Sequence, residues 1–457
     1  MLDTICTFPL PADLFTQALH PSEPILSVGL SSGHVYTYRL PSLGDEDADS
    51  AADNVVKQIH HHDNQGSAVV NGVHNDGSSS SSNKNKSNNT NNNGPAPIIS
   101  SLRRSSIASE NGLGSIEQMW KTRRHKGSCR ALVFNHDGSV SYSAGTDGLI
   151  KAFDTATGKV TWKSTLLPGA SDGDGDADAD APSSMHALSP QALLLGTDNG
   201  KMYVYDLREP TGTRPSHDAW APHGTEPVNG ITPVPASAAS TSGFPKQWVS
   251  VGGATLAVTD LRKGVLATSE DQEIELTRCV MVQGLKKGGT SVGEKVVVGQ
   301  ADGVVSLWER GVWGDLDERI VVDRAGEGIE SLCQVPDGFR PRRQKNGQLC
   351  RMDEKLVAIG LASGLVRFAR IGRNRVFEDW EVVHDELEGV TALGFDVCKR
   401  LITGGGQTIK IWTEAKGQPG GGRNANGDNA SSRRKKRKRN KGKDKSGGIA
   451  LNLSGVF

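Results

Sequence analysis

Three stretches of this chain have residue types and spacings that could do chemistry. Gly29-Leu30-Ser31-Ser32-Gly33 fits GxSxG, the nucleophile-elbow pattern, which exposes a serine on a sharp strand-to-helix turn. The residues that follow, HVYTYRL, read as a strand, and the equivalent stretch Gly360-Leu361-Ala362-Ser363-Gly364 has alanine at the nucleophile position, so the pattern is that of a hairpin turn. Asp172, Asp174, Asp176, Asp178 and Asp180 alternate with Gly and Ala like a calcium loop. An EF-hand loop needs Gly at its sixth position and Glu at its twelfth, where this chain has Ala177 and Ser183. His60, His61 and His62 are adjacent in a polar tract that does not preorganise a metal site. No P-loop and no HExxH is present. The expectation is a chain with no catalytic residue, no metal and no cofactor.

Arg433, Arg434, Lys435, Lys436, Arg437, Lys438 and Arg439 form an unbroken cationic run, continued by Lys441, Lys443 and Lys445. Adjacent cations repel one another and cannot pack into a core, so the run reads as a nuclear and nucleolar targeting signal or an RNA-contact patch. From residue 417 onward there are 11 Lys/Arg against 2 Asp/Glu, which leaves 41 against 50 in the remainder. A tail of +9 therefore follows a body of −9, although the whole chain is neutral. Such a tail, meeting ~6 phosphates, would bind RNA with a Kd of about 10⁻⁴ to 10⁻⁶ M and a steep salt dependence, without reading sequence. No aromatic residue stands among its cations to stack on a base. Arg103-Arg104-Ser105-Ser106 has the form of a basophilic kinase site in an accessible loop, with Ser106 as the acceptor.

The N-terminal MLDTICTFPLPADLF lacks the charged and apolar regions of a secretory signal, and no run approaches the ~20 apolar residues of a membrane span. A soluble intracellular chain is expected. Its six cysteines, Cys6, Cys129, Cys279, Cys333, Cys350 and Cys398, form no CxxC and read as reduced buried thiols.

A repeat positions these features. AGTDGLIKAFD, residues 144–154, joins two β-prone runs through an Asp-Gly turn, the strongest short hairpin signal. Related stretches begin at Ser27 (SVGLSSGHVYTYRL), Leu194 (LLGTDNGKMYVYDLR), Val249 (VSVGGATLAVTDLR), Val296 (VVVGQADGVVSLWE), Val357 (VAIGLASGLVRFAR) and Leu401 (LITGGGQTIKIWT). Their ends recur roughly every 44 to 60 residues after the first, the period of a four-stranded blade with variable loops. The fold class is all-β, a seven-bladed propeller with a disordered insertion and a disordered basic C-terminal tail. Residues 1–42 supply a closing strand and the first blade. Residues 43–118, from GDEDADSAAD to SSSSSNKNKSNNTNNNG and beyond, are too polar to repay their ordering entropy. Residues 119–416 hold the remaining blades, and 417–457 the tail. The fourth copy lacks the turn Asp and follows a Pro-bearing approach (ITPVPASAAS), which leaves a six-bladed ring as the alternative. Since the last copy ends near Trp412 without an outermost strand, residues 2–8, LDTICTF, are predicted to pair there and close the ring.

The second copy has His125 upstream, Ser141 and Ser143 on its first strand, Asp147 in the turn and Phe153-Asp154 at its end. It resembles the WD40 family of β-propellers, in which these positions form a hydrogen-bonded network that locks the blade; Trp308 and Trp412 stand at the family's tryptophan position in two other copies. The endings FD, YD, TD, WE, FA and WT include no intact Trp-Asp. Within that family, the seven loose copies, the short strand ahead of HPSEPILSVGL, the segment NRVFEDWEVVHDELEGVTALGFDVCKRLITGGGQTIKIWT and the basic tail are similar to the WD-repeat protein 55 family, over residues 1–42 and about 119–416. That resemblance implies a non-enzymatic nucleolar scaffold in ribosome biogenesis. It would support pre-rRNA processing and large-subunit precursor assembly through protein partners on the propeller faces, with no small-molecule substrate and no membrane partner. Asp206-Leu207-Arg208 and Asp260-Leu261-Arg262 end two consecutive blades and resemble the Asp-x-Arg box that docks some WD40 proteins on the DDB-type adaptor of cullin ubiquitin ligases. An alternative role as a ligase substrate receptor rests on those four residues. Ordinary blade-end polarity, with each arginine solvated or paired locally, is the simpler reading.

Overall fold

A strand covered on both faces reads as a near-continuous apolar run, and SVGL, LLLG, VSVG, VVVG and VAIG are such runs. In the computed structural model of this chain each lies in the second strand of an antiparallel sheet, among residues that are nearly all buried. The structure describes residues 2–41, 106–108, 115–165, 180–209, 215, 219–236, 240–288, 291–339 and 354–414. Every helix or strand among them is a strand, and the strands form seven sheets. The ring is thus seven-bladed, and the six-bladed alternative falls.

We label the strands of each blade a to d from the centre outward. The inner a strands are Leu14–Leu19, Cys129–Phe134, Pro182–Ser189, Gly230–Val234, Leu276–Gln283, Ile329–Gln334 and Ala392–Phe395. Seven apolar clusters hold the ring, each drawn from two consecutive blades. The cluster that joins blade seven to blade one contains Ile5, Phe8, Leu26, Tyr38, Ile402 and Ile411. Leu2–Pro9 is strand d of blade seven, antiparallel to Thr408–Glu414 with Thr4 opposite Trp412. The predicted closing strand is therefore present. Closing the ring in this way leaves no open edge between the first and last blades.

A glycine near the end of every b strand has a packing reason. An added Cβ at Gly196 would lie 2.7 Å from Val228, and at Gly299 2.6 Å from Ile329, both at the entry to the next blade. The backbone of one blade comes close enough to the next that a methyl group does not fit.

Three departures from the sequence reading stand out. Strand d of blade one is Ser115–Arg123, paired with strand c (His34–Arg39), so regular structure begins before residue 119. Its anchor is Ile116, fully buried in the cluster between blades seven and one but surrounded by polar residues that mask the pattern. Ser106–Ala108 pairs outside it, with Ser106 opposite Glu117, which puts Ser106 on a paired strand rather than in a loop. Blade three has three named strands among the described residues, and Trp220 forms a lone bridge to Met202 where strand d would run.

Arg400 is the one fully buried arginine among the large side chains of the described core. Its Nε donates to Asp396 Oδ2 at 2.7 Å and its backbone N–H to Oδ1 at 2.8 Å, while Nη1 donates to the Pro41 carbonyl at 2.5 Å. Replacing one partner of such a pair strands the other charge. Arg400→Met is expected to cost about 3–5 kcal/mol, read as a lower urea midpoint, and the double change Arg400→Met with Asp396→Leu should recover much of it. Equal losses in the single and double variants would show that packing, not charge, matters there.

Candidate functional site

Turns between strands b and c, and the connections from one blade to the next, emerge on one face of the propeller. Turns a–b and c–d emerge on the other. The first face is braced by buried histidines. In blade two, Asp147 Oδ1 accepts from His125 Nδ1 at 2.8 Å, so Nε2 is the nitrogen that accepts from the Ser143 hydroxyl at 2.9 Å. Asp147 Oδ2 also accepts the Lys126 N–H at 3.0 Å. Burial pulls His125 below the usual imidazole range against the pull of Asp147, and Asp147 lies low because the Lys126 N–H and His125 outweigh its burial. Ser141 bonds instead to Thr155 at 2.9 Å, and Asp154 accepts from the Thr157 N–H and hydroxyl, capping the turn after strand c. Phe153 is fully buried, edge-on to Trp120 and under the Arg124 guanidinium at 4.5 Å. It fills the family's tryptophan position with packing and no hydrogen bond.

Two equivalent networks escaped the sequence reading. His223 bonds to Thr255 at 2.8 Å and Ser250 at 2.9 Å, so Thr255 takes the place of the turn Asp missing from the fourth copy. His384 bonds to Thr403 at 2.8 Å, which also accepts from Trp412 Nε1 at 2.9 Å. Trp412 thus makes its family bond, whereas the buried Trp308 indole finds no hydrogen-bond partner among the described residues. The available signal was a histidine a few residues ahead of an inner strand, in HGTEPVNGI and HDELEGVTAL as in HKGSCRAL.

Inner strands of all seven blades line a central channel of about 250 Å³. Arg278, at its wall, donates to the Asn229 and Thr277 carbonyls at 2.7 and 2.8 Å, and Arg130 pairs with Asp198 at 3.2 Å. Cys129, Cys279 and Cys333 are free thiols pushed up to about 12 by burial, far from the thiolate form that reacts or binds metal. Among the described residues no three His, Cys, Asp or Glu side chains gather as metal ligands. Gly29 and Leu30 end strand b (Ile25–Leu30) of blade one, and Ser31–Gly33 is the tight turn into strand c, without the helix that a nucleophile elbow needs. Asp180 is buried and accepts the Asn199 N–H at 3.0 Å. Asp172 to Asp178, His60 to His62, Cys350 and every tail cation from Arg433 to Lys445 lie outside the described residues.

On the second face the two Asp-x-Arg boxes differ. Asp206 grips its own arginine, with Arg208 Nε at 2.9 and 3.1 Å from its two oxygens, and these bonds hold the Asp206 carboxyl down at about 2. Asp260 accepts the backbone N–H groups of Arg262 and Lys263 and the Gln247 amide, and the exposed Arg262 side chain makes no hydrogen bond or ion pair among the described residues. Local pairing describes Arg208; only Arg262 points a spare guanidinium outward.

No family model matches the chain. Among curated proteins it is 47% identical over 426 residues to the WD repeat-containing protein jip5 of Emericella nidulans, covering 92% of this chain and 87% of that one. The corresponding protein of Phaeosphaeria nodorum is 43% identical over 427 residues, with 91% and 82% covered. That of Coccidioides immitis is 41% identical over 426 residues, again with 91% and 82% covered.

Proposed function

This chain belongs to the JIP5 family of WD repeat-containing proteins, and from that premise we propose that it is a non-enzymatic nucleolar scaffold in ribosome biogenesis, related to the WD-repeat protein 55 branch. Protein partners in pre-rRNA processing and large-subunit precursor assembly bind the propeller faces. The cations Arg433–Arg439 with Lys441, Lys443 and Lys445 carry the chain to the nucleus and nucleolus and hold it near RNA by charge alone. The observation that carries this reading is the division of labour in the sequence: residues 1–416, which contain the closed, internally braced ring, carry a net charge of −9, and the tail from residue 417 carries +9. An acidic body repels phosphate, which leaves RNA to the tail and proteins to the blades.

The test is purification of the intact protein from nuclear extract at moderate salt, with and without RNase. Pre-rRNA and assembly factors should be retained, and the factors should survive RNase. A second outcome concerns the tail. Changing Arg433–Arg439 to Gln is expected to spread a fluorescent fusion through the cytoplasm, and to lower the salt slope of RNA binding by ~0.7 for each phosphate no longer neutralised. Unchanged nuclear accumulation would remove the targeting role.

The spare guanidinium of Arg262 favours one second reading, a substrate receptor for a DDB-type cullin ligase. Arg262→Glu with Arg208→Glu separates the two. Loss of adaptor binding with normal rRNA processing supports the receptor, and the reverse supports the scaffold.

A further inference from the structure

The geometry points to a docking cleft on the second face, between blades five and six, that takes a partner protein's extended segment carrying arginine or lysine next to an apolar residue. This rests on the scaffold reading and gives one of its partners a place and a chemistry. The cleft holds about 660 Å³, within the roughly 300–1,000 Å³ of ligand clefts. Its described walls carry five carboxylates, Glu309, Asp315, Asp317, Glu318 and Glu354, against three cations, Lys286, Lys295 and Arg373.

Two of the three cations are already engaged. Lys295 Nζ bonds to Asp317 and to Glu318 at 3.0 Å, and Arg373 meets Glu354 at 3.2 Å. Glu309 is the group left short. Its side chain is 7% exposed, and Oε1 accepts the Val292 N–H at 2.7 Å. Oε2 has no hydrogen bond, with Lys295 Nζ standing 3.9 Å away. A buried carboxylate oxygen without a donor costs free energy until one arrives, and an incoming guanidinium or ammonium supplies the donor and adds positive charge where Lys295 alone is shared among Glu309, Asp317 and Glu318. Beside it, Val312 is 57% exposed, with Leu316 and Ile371 on the same walls, an apolar shelf for the residue next to the cation. Carboxylates next to an apolar shelf suit a peptide better than a nucleic acid, whose phosphates they repel, or a bare polyamine, which has no apolar neighbour to place.

The probe is a fluorescein-labelled octapeptide of alternating Arg and Leu, titrated by anisotropy into the full chain at about 150 mM salt, near physiological screening. Binding is expected, and the same peptide with citrulline for arginine should fail to bind. Glu309→Gln, nearly isosteric, and Val312→Asp, at an exposed position, should each weaken binding, and Asp317→Lys with Glu318→Lys should do so by about 30-fold or more. Glu386→Lys with Glu388→Lys, an equal charge change in the exposed loop on the first face, should leave it unaltered. Equal loss from that first-face pair would reduce the effect to general electrostatics and overturn the cleft. Full competition by spermine at matched charge would transfer the site to a small polycation. Binding that appears only after the five cations of residues 340–353 are replaced would make this chain's own segment the occupant, and would likewise overturn the assignment. The scaffold reading fails separately: loss of assembly factors from the RNase-treated purification, with cleft-specific peptide binding intact, would sink it and leave the cleft standing.

Discussion

A chain without residues 2–9 is expected to lose its single cooperative unfolding transition. The strand they form is strand d of the last blade and at the same time the closure of the ring. Ile5, Cys6 and Phe8 are buried, and Phe8 meets Tyr38 of blade one edge-on at 5.2 Å. At ~1.5–3 kcal/mol for each large apolar side chain, their burial alone is worth about 4–8 kcal/mol. Removing the strand also bares the Thr408–Glu414 edge and the cluster shared by blades seven and one. That loss is comparable to the ~5–15 kcal/mol by which a domain is stable. Urea unfolding followed by circular dichroism and by tryptophan fluorescence should therefore give two non-coincident curves, with early loss of signal from Trp412. A synthetic peptide of residues 1–12 added in trans should restore one transition, since the edge it fills is specific in register. A deletion variant with an unchanged midpoint and slope would show that the ring is held by the other six interfaces without this one.

The closing strand was legible because a propeller is a counting problem. Seven hairpins, each marked by its turn and its doubly covered b strand, leave one outer position empty at the last blade, and LDTICTF is the unassigned apolar stretch. Where covering was one-sided, the pattern failed. Ser115–Arg123 buries Ile116 and leaves most of its other side chains partly or fully exposed, so in sequence it merges with the polar insertion before it. The buried networks divide in the same way. His125, Ser143 and Asp147 could be named from spacing, because blade two keeps short connections. In blade four, 27 residues separate His223 from Ser250, against 18 between His125 and Ser143, and threonine replaces the turn aspartate, so no fixed spacing could have found it. The cleft between blades five and six was invisible, since its walls come from a–b and c–d connections whose composition is that of ordinary loops. What brings them together is the stacking of blades.

Acid should unfold this protein in two stages, the first set by histidine. His223 and His384 are buried among neutral hydroxyl partners, and burial pulls both down to about 4; Lys410 adds to the effect at His384. An unfolded histidine titrates near 6.5, so between pH 6.5 and 4 the unfolded chain binds more protons than the folded one. The contribution of each imidazole is complete above pH 6.5 and is lost as the pH falls through that window. A depression of this size is worth about 3 kcal/mol for each histidine by pH 4, or ~1.4 kcal/mol per pH unit near the middle of the range. His125 is lowered by burial too, and adds in the same direction. The carboxylates follow at lower pH. Asp147 and Asp385, held low chiefly by backbone N–H bonds, and Asp206, held at about 2 by Arg208, give up their contributions only below pH 4, when protonation breaks those bonds. Urea midpoints measured at half-unit steps should therefore fall steeply from pH 6.5 to 4. In His223→Gln the starting stability should be lower, because Ser250 and Thr255 lose a shaped partner, but the slope should be shallower by one histidine's share. A stability that stays flat between pH 7 and 5 in the parent chain would mean that the folded imidazoles take up protons as readily as the unfolded ones, and that the hydroxyl networks behind the first face are not what brace it.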